Sequence, residues 1–296
     1  MNIANEHLTL RAAGLTLITA ILWGGNAVSI KIALVGMPPI ALAGVRFAIG
    51  GLVVLICAIA NGTSLGMSGT DRRGLGALAV LFLVQILLLN EGTHHTLASR
   101  STILICTYPF FTALFAHYFI PSDRLTTIKV AGMILSLGGV GLIFTEGLEM
   151  DKSSYLTGDL MILGSAILLG ARQVYTKRLT QNIHPYKLLV WQAALSLPVF
   201  GMLSAIFERG ATYEFTAQVV GGIAYQGLVV AGFCFILFVS LLRRYSASRL
   251  GVFGFFTPVF GVLASDLLLD DGLSPLLITS MLLVAAGIAV VNWPES

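Results

Sequence analysis

Arg46 stands about seven residues into an apolar stretch that begins at Pro39, roughly 10 Å from its end at a helical rise of about 1.5 Å per residue. A second arginine, Arg172, interrupts the apolar stretch that follows Thr157. A guanidinium stays charged at physiological pH, and hydrocarbon around it costs a few kcal/mol. Arg46 therefore implies a carboxylate-bearing ligand, a water-filled cavity or an internal carboxylate, with snorkelling of the long side chain as the plain alternative. Arg172 lies close to Lys177 at a span end, so snorkelling suits it as well as a binding role does. Trp23, Asn26, Tyr108, Gln173, Tyr175, Trp191 and Gln192 add hydrogen-bonding and aromatic surface for a small polar solute, although Trp and Tyr also serve as interfacial anchors. Glu91, followed by His94 and His95, places a carboxylate and imidazoles at neighbouring helical positions. Such a group can load and release a proton near working pH; an interfacial ion pair of Glu91 with a histidine or with Arg100 is the simpler reading. Two adjacent histidines cannot both face one ion and no further ligand set completes a site, so neither a metal nor a cofactor is expected. Pro109 and Pro258 each remove a backbone hydrogen bond inside an apolar stretch, as gating bends or as tolerated kinks.

The elements that must position these residues follow from the solvent. Of 296 residues, 56% are hydrophobic and 10% charged, whereas an ordinary soluble domain carries about 25% charged residues. Apolar runs of about 20 residues, the length that crosses a hydrocarbon layer, recur throughout. They read as ten spans near Ala13–Val35, Pro39–Ala60, Gly74–His95, Ala98–Ile120, Thr126–Thr145, Thr157–Leu179, Pro185–Phe207, Ala217–Leu242, Ala247–Leu269 and Pro275–Trp293. Helices are expected because backbone groups in lipid must be satisfied within the segment, and the alternation of barrel strands is missing. Cys57, Cys106 and Cys234 fall inside apolar runs and read as packing residues. The basic residues form no continuous patch, which argues against a nucleic-acid partner despite the charge of +3. The first apolar run lacks a convincing cleavage site and is taken as a span, not a removable signal.

Lys and Arg near span ends are strongly biased to one side: with the N-terminus inside, the pairs Arg72-Arg73, Lys177-Arg178 and Arg243-Arg244 all fall on the cytoplasmic face. Both termini are thus expected in the cytoplasm and the chain in the cytoplasmic (inner) membrane. The sequence also repeats itself. Ala98-Ser99-Arg100 is followed by Pro109 at the spacing at which Ala247-Ser248-Arg249 is followed by Pro258; Gly24 through Lys31 and Pro39 match Gly170 through Lys177 and Pro185; Met133 and Gly139 match Met281 and Gly287. Two repeats, 1–150 and 151–296, are expected. Five spans per repeat make the second copy enter the membrane from the opposite side, an arrangement suited to rocking between two access states around a central site. Gly138, Gly139 and Gly141, with Ala285, Ala286 and Gly287, permit close helix approach, within the chain or in a homodimer.

The Leu22-Trp23-Gly24-Gly25-Asn26 stretch, the Ser246-Ala247-Ser248 turn and the two mid-span prolines resemble the ten-helix EamA-type branch of the drug/metabolite transporter superfamily, over nearly the whole chain. Asp123 and Asp271 stand where that family typically has Glu. The resemblance implies an all-α integral membrane fold: ten transmembrane helices as two inverted five-helix repeats, with spans one to four and six to nine around a central cavity and spans five and ten peripheral. The expected function is a secondary transporter, exporting small metabolites with amino acids as the leading class because Arg46 offers a carboxylate partner. The expected partners are a small-molecule substrate and the lipid bilayer. A multidrug exporter is the rival within this class; the first span carries no acid of the kind that drug–proton antiport uses in small relatives. A membrane enzyme would need a nucleophile, acid–base pair or metal constellation that is not found, and a receptor or scaffold would need larger loops.

Overall fold

The computed structural model describes residues 9–120, 124–149, 155–245, 250 and 252–291. Asp123, the Ser246-Ala247-Ser248 turn, Arg249, the 150/151 repeat boundary, Trp293 and both chain ends lie outside the described residues.

Hydrocarbon offers a backbone N–H or C=O no partner, so each apolar run closes its own hydrogen bonds; the described residues form helices and contain no strand. Helix starts follow local chemistry. α1 (Leu10–Ala33) is capped by Thr9, whose hydroxyl accepts from Ala12 N at 3.2 Å. α2 (Pro39–Ala60) begins on a proline, whose missing N–H is harmless in a first turn. There Glu208 accepts from Ile40 N and Ala41 N at 2.6 and 2.9 Å, a carboxylate on the positive helix end. α3 (Gly69–His95) starts upstream of the expected Gly74 because Ser68 and Asp71 form a capping box. The expected single span from Ala98 is two helices, α4 (Ala98–Ile105) and α5 (Tyr108–Phe119), broken just before Pro109. α6 (Thr127–Glu149), α7 (Leu156–Leu179) and α8 (Pro185–Phe207) follow, the last again opening on proline. The next crossing comprises α9 (Ala217–Ala224), a π-helical segment Tyr225–Cys234 and α10 (Phe235–Arg244). A 3₁₀ turn, Val252–Phe255, leads into α11 (Phe256–Leu269), and α12 (Pro275–Val291) closes the described chain.

Among the described residues, six crossings are long and apolar enough to span a membrane, Ala98–Phe119 and Ala217–Arg244 included; three shorter apolar helices lie in α6, α11 and α12. α7 completes the ten-helix membrane fold. It is as long as α1 but carries Asp159, Arg172, Lys177 and Arg178.

Helix contacts come in exchanged pairs, as two inverted halves require. α1 packs on α11 while its counterpart α7 packs on α4 and α5; α7 packs on α3 while α1 packs on α9, the π segment and α10. The pairs α2 with α8 and α6 with α12 map onto themselves. Lipid gives helices little hydrophobic reason to associate, so close contact falls to small residues. A methyl group on Gly24 would lie 3.0 Å from Gly261 N and 3.1 Å from Phe260 Cβ; one on Gly170 would lie 2.6 Å from Phe111 Cβ and 2.8 Å from Thr112 N. Phe111 and Thr112 precede Pro258-aligned Phe260 and Gly261 by the same spacing that separates the two prolines, so both contacts are copies of one. Gly139 meets Ser280 and Val284, and Gly287 meets Gly132 and Ser136, which closes α6 on α12 away from the centre. Gly138 and Gly141 face open space.

Candidate functional site

The break between α4 and α5 and the crossings of α1, α2, α3, α7 and α10 leave a cavity of about 100 Å³ at the centre of the helices. Each surrounding element contributes: Trp23 and Asn26 from α1, Arg46 and Phe47 from α2, Gln85 from α3, Tyr108 from α5, Arg172 and Gln173 from α7, Phe235 from α10 and Thr257 from α11. Among the described residues, none of its lining comes from α6 or α12. A smaller pocket of about 30 Å³ adjoins it through Trp23, Arg172, Gln173 and Phe235, and is completed by Thr176, Leu188 and Gln192.

Arg46 and Arg172 are 2% and 9% exposed. Neither forms an ion pair with a described carboxylate. Arg46 lies over Phe47 at 4.6 Å, and Arg172 over Phe82 and Phe235 at 5.2 and 5.5 Å. Phe47 in turn touches Phe82 at 4.6 Å and Phe235 at 5.8 Å, so three rings form a shelf joining the two cations. Ring faces offset part of the cost of burying a guanidinium. Arg46 Nη1 also donates to Gln226 Oε1 at 3.1 Å; the Gln226 amide is held by its own donation to Ser29 O at 2.9 Å. Gln226 lies in the π segment, whose counterpart in α3 is ordinary α-helix. Lengthened helical turns of this kind recur at functional sites.

Four buried polar atoms around this cavity have no hydrogen-bond partner: Arg46 Nε, Arg172 Nη1, Asn26 Oδ1 and Gln85 Oε1. The orientation of Gln85 is set by Ser165, whose hydroxyl donates to Gln85 O at 2.9 Å and therefore accepts from Gln85 Nε2, also at 2.9 Å. The Gln85 oxygen is left as the free acceptor. Unpaired buried polar groups are costly and demand a reason.

Of the residues singled out from sequence, Trp23, Asn26, Arg46, Tyr108, Arg172 and Gln173 converge on the central cavity, and Gln192 lines the adjoining pocket. Tyr175 packs in an apolar cluster with Leu179, and Trp191 Nε1 donates to Leu65 O at 2.8 Å; neither lines either pocket. Glu91 lies 3.8 Å from His95 at the α3 end, with side chains 29% and 49% exposed, also outside both pockets. Arg100, considered as a partner of Glu91, pairs instead with Asp159 of α7, which also accepts from Thr96 Oγ1 at 2.7 Å. That bridge is buried, and Arg100 adds a bond to Ile143 O at 2.8 Å. Pro109 and Pro258 are buried in the first turns of α5 and α11, each directly after an irregular stretch. Asp271 accepts from Ser99 N at 2.9 Å and from the Ser265 hydroxyl. Gln85, Gln226 and the phenylalanine shelf were missed. Gln85 and Gln226 each stand alone in an apolar run, and an isolated polar side chain at membrane depth is itself the signal.

The sequence profile of the EamA-like transporter family matches this chain twice, over residues 10–145 and 156–293. Among curated proteins, the chain is 24% identical to the "Uncharacterized transporter YoaV" of Bacillus subtilis (strain 168), over 90% of this chain and 92% of that one. It is 24% identical to a protein of Escherichia coli (strain K12) named "Probable amino-acid metabolite efflux pump", over 93% of each chain. It is 27% identical to one of the same name from Salmonella typhimurium, again over 93% of each. A solved crystal structure superposes with a TM-score of 0.73 at 19% identity, covering 95% of this chain and 97% of the other, which supports the fold. Two profile matches of five spans each, on a ten-helix fold whose contacts exchange between halves, leave one conclusion: the chain is an integral membrane protein of the EamA-like transporter family, within the drug/metabolite transporter superfamily.

Proposed function

We propose that this protein is a secondary transporter, not an enzyme, exporting small metabolites, amino acids or related compounds, across the cytoplasmic membrane by alternating access. The observation that carries the proposal is the central cavity, where two buried guanidiniums and two amide oxygens with unpaired polar atoms meet on an aromatic shelf. A solute that satisfied these atoms would replace the hydration it gives up. Trp23, Asn26, Arg46, Tyr108, Arg172 and Gln173 are the proposed contacts, with Gln192 in the adjoining pocket; Tyr175 and Trp191, which line neither pocket, are left out of the proposed contacts.

Repeats 1–150 and 151–296 are the proposed moving halves, with both termini in the cytoplasm. Pro109 and Pro258 are the proposed bends, because each follows a break in a crossing that lines the cavity. Glu91 and His95 are the proposed proton carriers, since a carboxylate and an imidazole, both partly exposed, stand 3.8 Å apart at the end of α3. The open faces of Gly138 and Gly141 are the proposed site of a homodimer contact. The relatives named as amino-acid metabolite efflux pumps support the cargo class.

The test is flux by purified protein in liposomes across an amino-acid and metabolite panel. Saturable counterflow of an unlabelled against a labelled solute is expected; folded, correctly inserted protein that moves none of them would defeat the proposal. Wild-type kinetics in the Pro109→Ala, Pro258→Ala double variant would remove the gating role.

A further inference from the structure

The charge balance of the cavity narrows its cargo. Arg46 and Arg172 bring two fixed positive charges to one small space, and the two charges repel each other across it. No carboxylate appears among the described residues that line either pocket. The polar remainder, Asn26, Gln85, Gln173, Tyr108 and Thr257, is neutral. Elsewhere the same chain neutralises a buried arginine with an acid, as Arg100 does with Asp159. The central pair is left without one.

We infer that the cavity binds net-anionic organic acids: one carboxylate shared by the Arg46 and Arg172 guanidiniums, and an apolar body lying on the Trp23–Phe47–Phe235 wall. The inference rests on this cavity being the cargo site. A buried, unpaired ion is costly; an opposite charge set against it relieves that cost, and a like charge carried into the same space adds to it. A carboxylate meeting Arg46 Nε and Arg172 Nη1 forms charge-assisted hydrogen bonds with two donors that otherwise have none. A zwitterion makes the same bonds but carries an ammonium into a space that already holds two cations and offers it only the Asn26 and Gln85 amide oxygens. An amine without a carboxylate meets repulsion alone. Deaminated or doubly acidic relatives of amino acids are therefore preferred over the amino acids themselves, and cationic drugs are excluded.

Gln226 governs the Arg46 half of this arrangement as a positioning residue. Its oxygen takes Nη1, which leaves Nε free, and its own amide is fixed to Ser29 O and Gly222 O. A neutral acceptor orients the guanidinium without cancelling its charge.

The test compares matched ligands that differ only in charge, by thermal stabilisation and calorimetry on the purified full chain: 3-phenylpropanoate, phenylalanine and phenethylamine, with the aliphatic set 4-methylpentanoate, leucine and 3-methylbutylamine. In at least one set the carboxylate is expected to bind ten-fold or more tighter than the amino acid, and the amine not at all. Arg46→Gln and Arg172→Gln are each expected to lose ten-fold or more of the carboxylate affinity. Gln226→Glu keeps both arginines but sets a carboxylate against Arg46, and is expected to show the same loss while remaining monodisperse. Amino acids binding as tightly as their deaminated partners, no binding of either carboxylate by folded wild type, or unchanged affinity in all three variants would overturn the inference. Liposome flux separates it from the transport proposal: carboxylate binding without flux sinks the latter alone, and flux of zwitterions with no carboxylate binding sinks the former alone.

Discussion

Lys31 and Lys177 hold equivalent places in the two repeats, and each turns its ammonium onto the carbonyl end of a helix in its own half. Lys31 Nζ donates to Thr93 O, His94 O and Thr96 O at 3.1, 3.0 and 2.6 Å, at the end of α3. Lys177 Nζ donates to Leu242 O and Tyr245 O at 2.7 and 3.0 Å, at the end of α10. Thr93 and Thr96 correspond to Leu242 and Tyr245 at the spacing that relates Pro109 to Pro258. A cation at a helix C-terminus meets both the free carbonyls and the negative end of the dipole. The inverted repeat thus places one such latch at each end of the molecule.

Replacing Lys177 with Met should lower stability by about 2 kcal/mol, the range of a charge-assisted bond whose acceptors are left without it. Lys31→Met should cost less, because Lys31 is only partly buried whereas Lys177 is 2% exposed, so water can replace the Lys31 cap. Thermal unfolding of the two variants in one detergent checks the order; a larger loss for Lys31→Met would contradict it.

The buried arginines should respond to mutation in opposite ways. Arg100→Leu strands Asp159, which is fully buried, and should cost about 3–5 kcal/mol. Arg172→Leu removes a buried charge that has no acid partner, and relief of its desolvation cost should offset the lost contacts with Phe82 and Phe235, worth about 0.5–2 kcal/mol, so the melting temperature should hold or rise. Carboxylate binding should disappear in the Arg172 variant despite that stability. Equal melting temperatures for the two variants would show that Asp159 is rescued by other groups.

Close approach makes Gly170 intolerant of a side chain. Gly170→Ala drives a methyl against Phe111 Cβ and the Thr112 backbone and should destabilise by about 1–3 kcal/mol, because backbone cannot step aside as a flexible side chain can. Gly201→Ala, facing open space on α8, should stabilise slightly through helix propensity. The pair is read in one thermal series, and a neutral Gly170→Ala would mean that α7 and α5 are held apart by other contacts.

Proton coupling at Glu91 makes a separable prediction. With an imposed pH gradient, Glu91→Gln in liposomes should abolish uphill accumulation of cargo while preserving exchange at equal pH on both sides, since only the coupled step needs the carboxyl proton. Retained uphill transport would reduce the Glu91–His95 contact to a surface ion pair.

The two inverted halves were readable in the sequence because they are written in residues whose spacing is itself a geometric statement: Pro39 and Pro185 at helix starts, Pro109 and Pro258 at breaks, Lys31 and Lys177 at caps. Arg46 and Arg172 were readable as candidates because a charge inside an apolar run needs a partner. Their partners were not readable. Asp159 stands as a lone acid near the start of α7, and nothing local says that it serves Arg100 of α4, 59 positions away in the chain.

Amino-acid order alone determined that this chain lives in lipid, crosses it as ten helices and carries two copies of one motif, because length, apolarity and internal spacing are local properties. Which of its charges are neutralised and which stand open was decided by the tertiary structure. Pairing depends on the rotation and register of helices far apart in the chain, and those are set by the close contacts of Gly24 with Gly261 and of Gly170 with Phe111 and Thr112. The unpaired polar atoms of Arg46, Arg172, Asn26 and Gln85 come together only once those contacts are made.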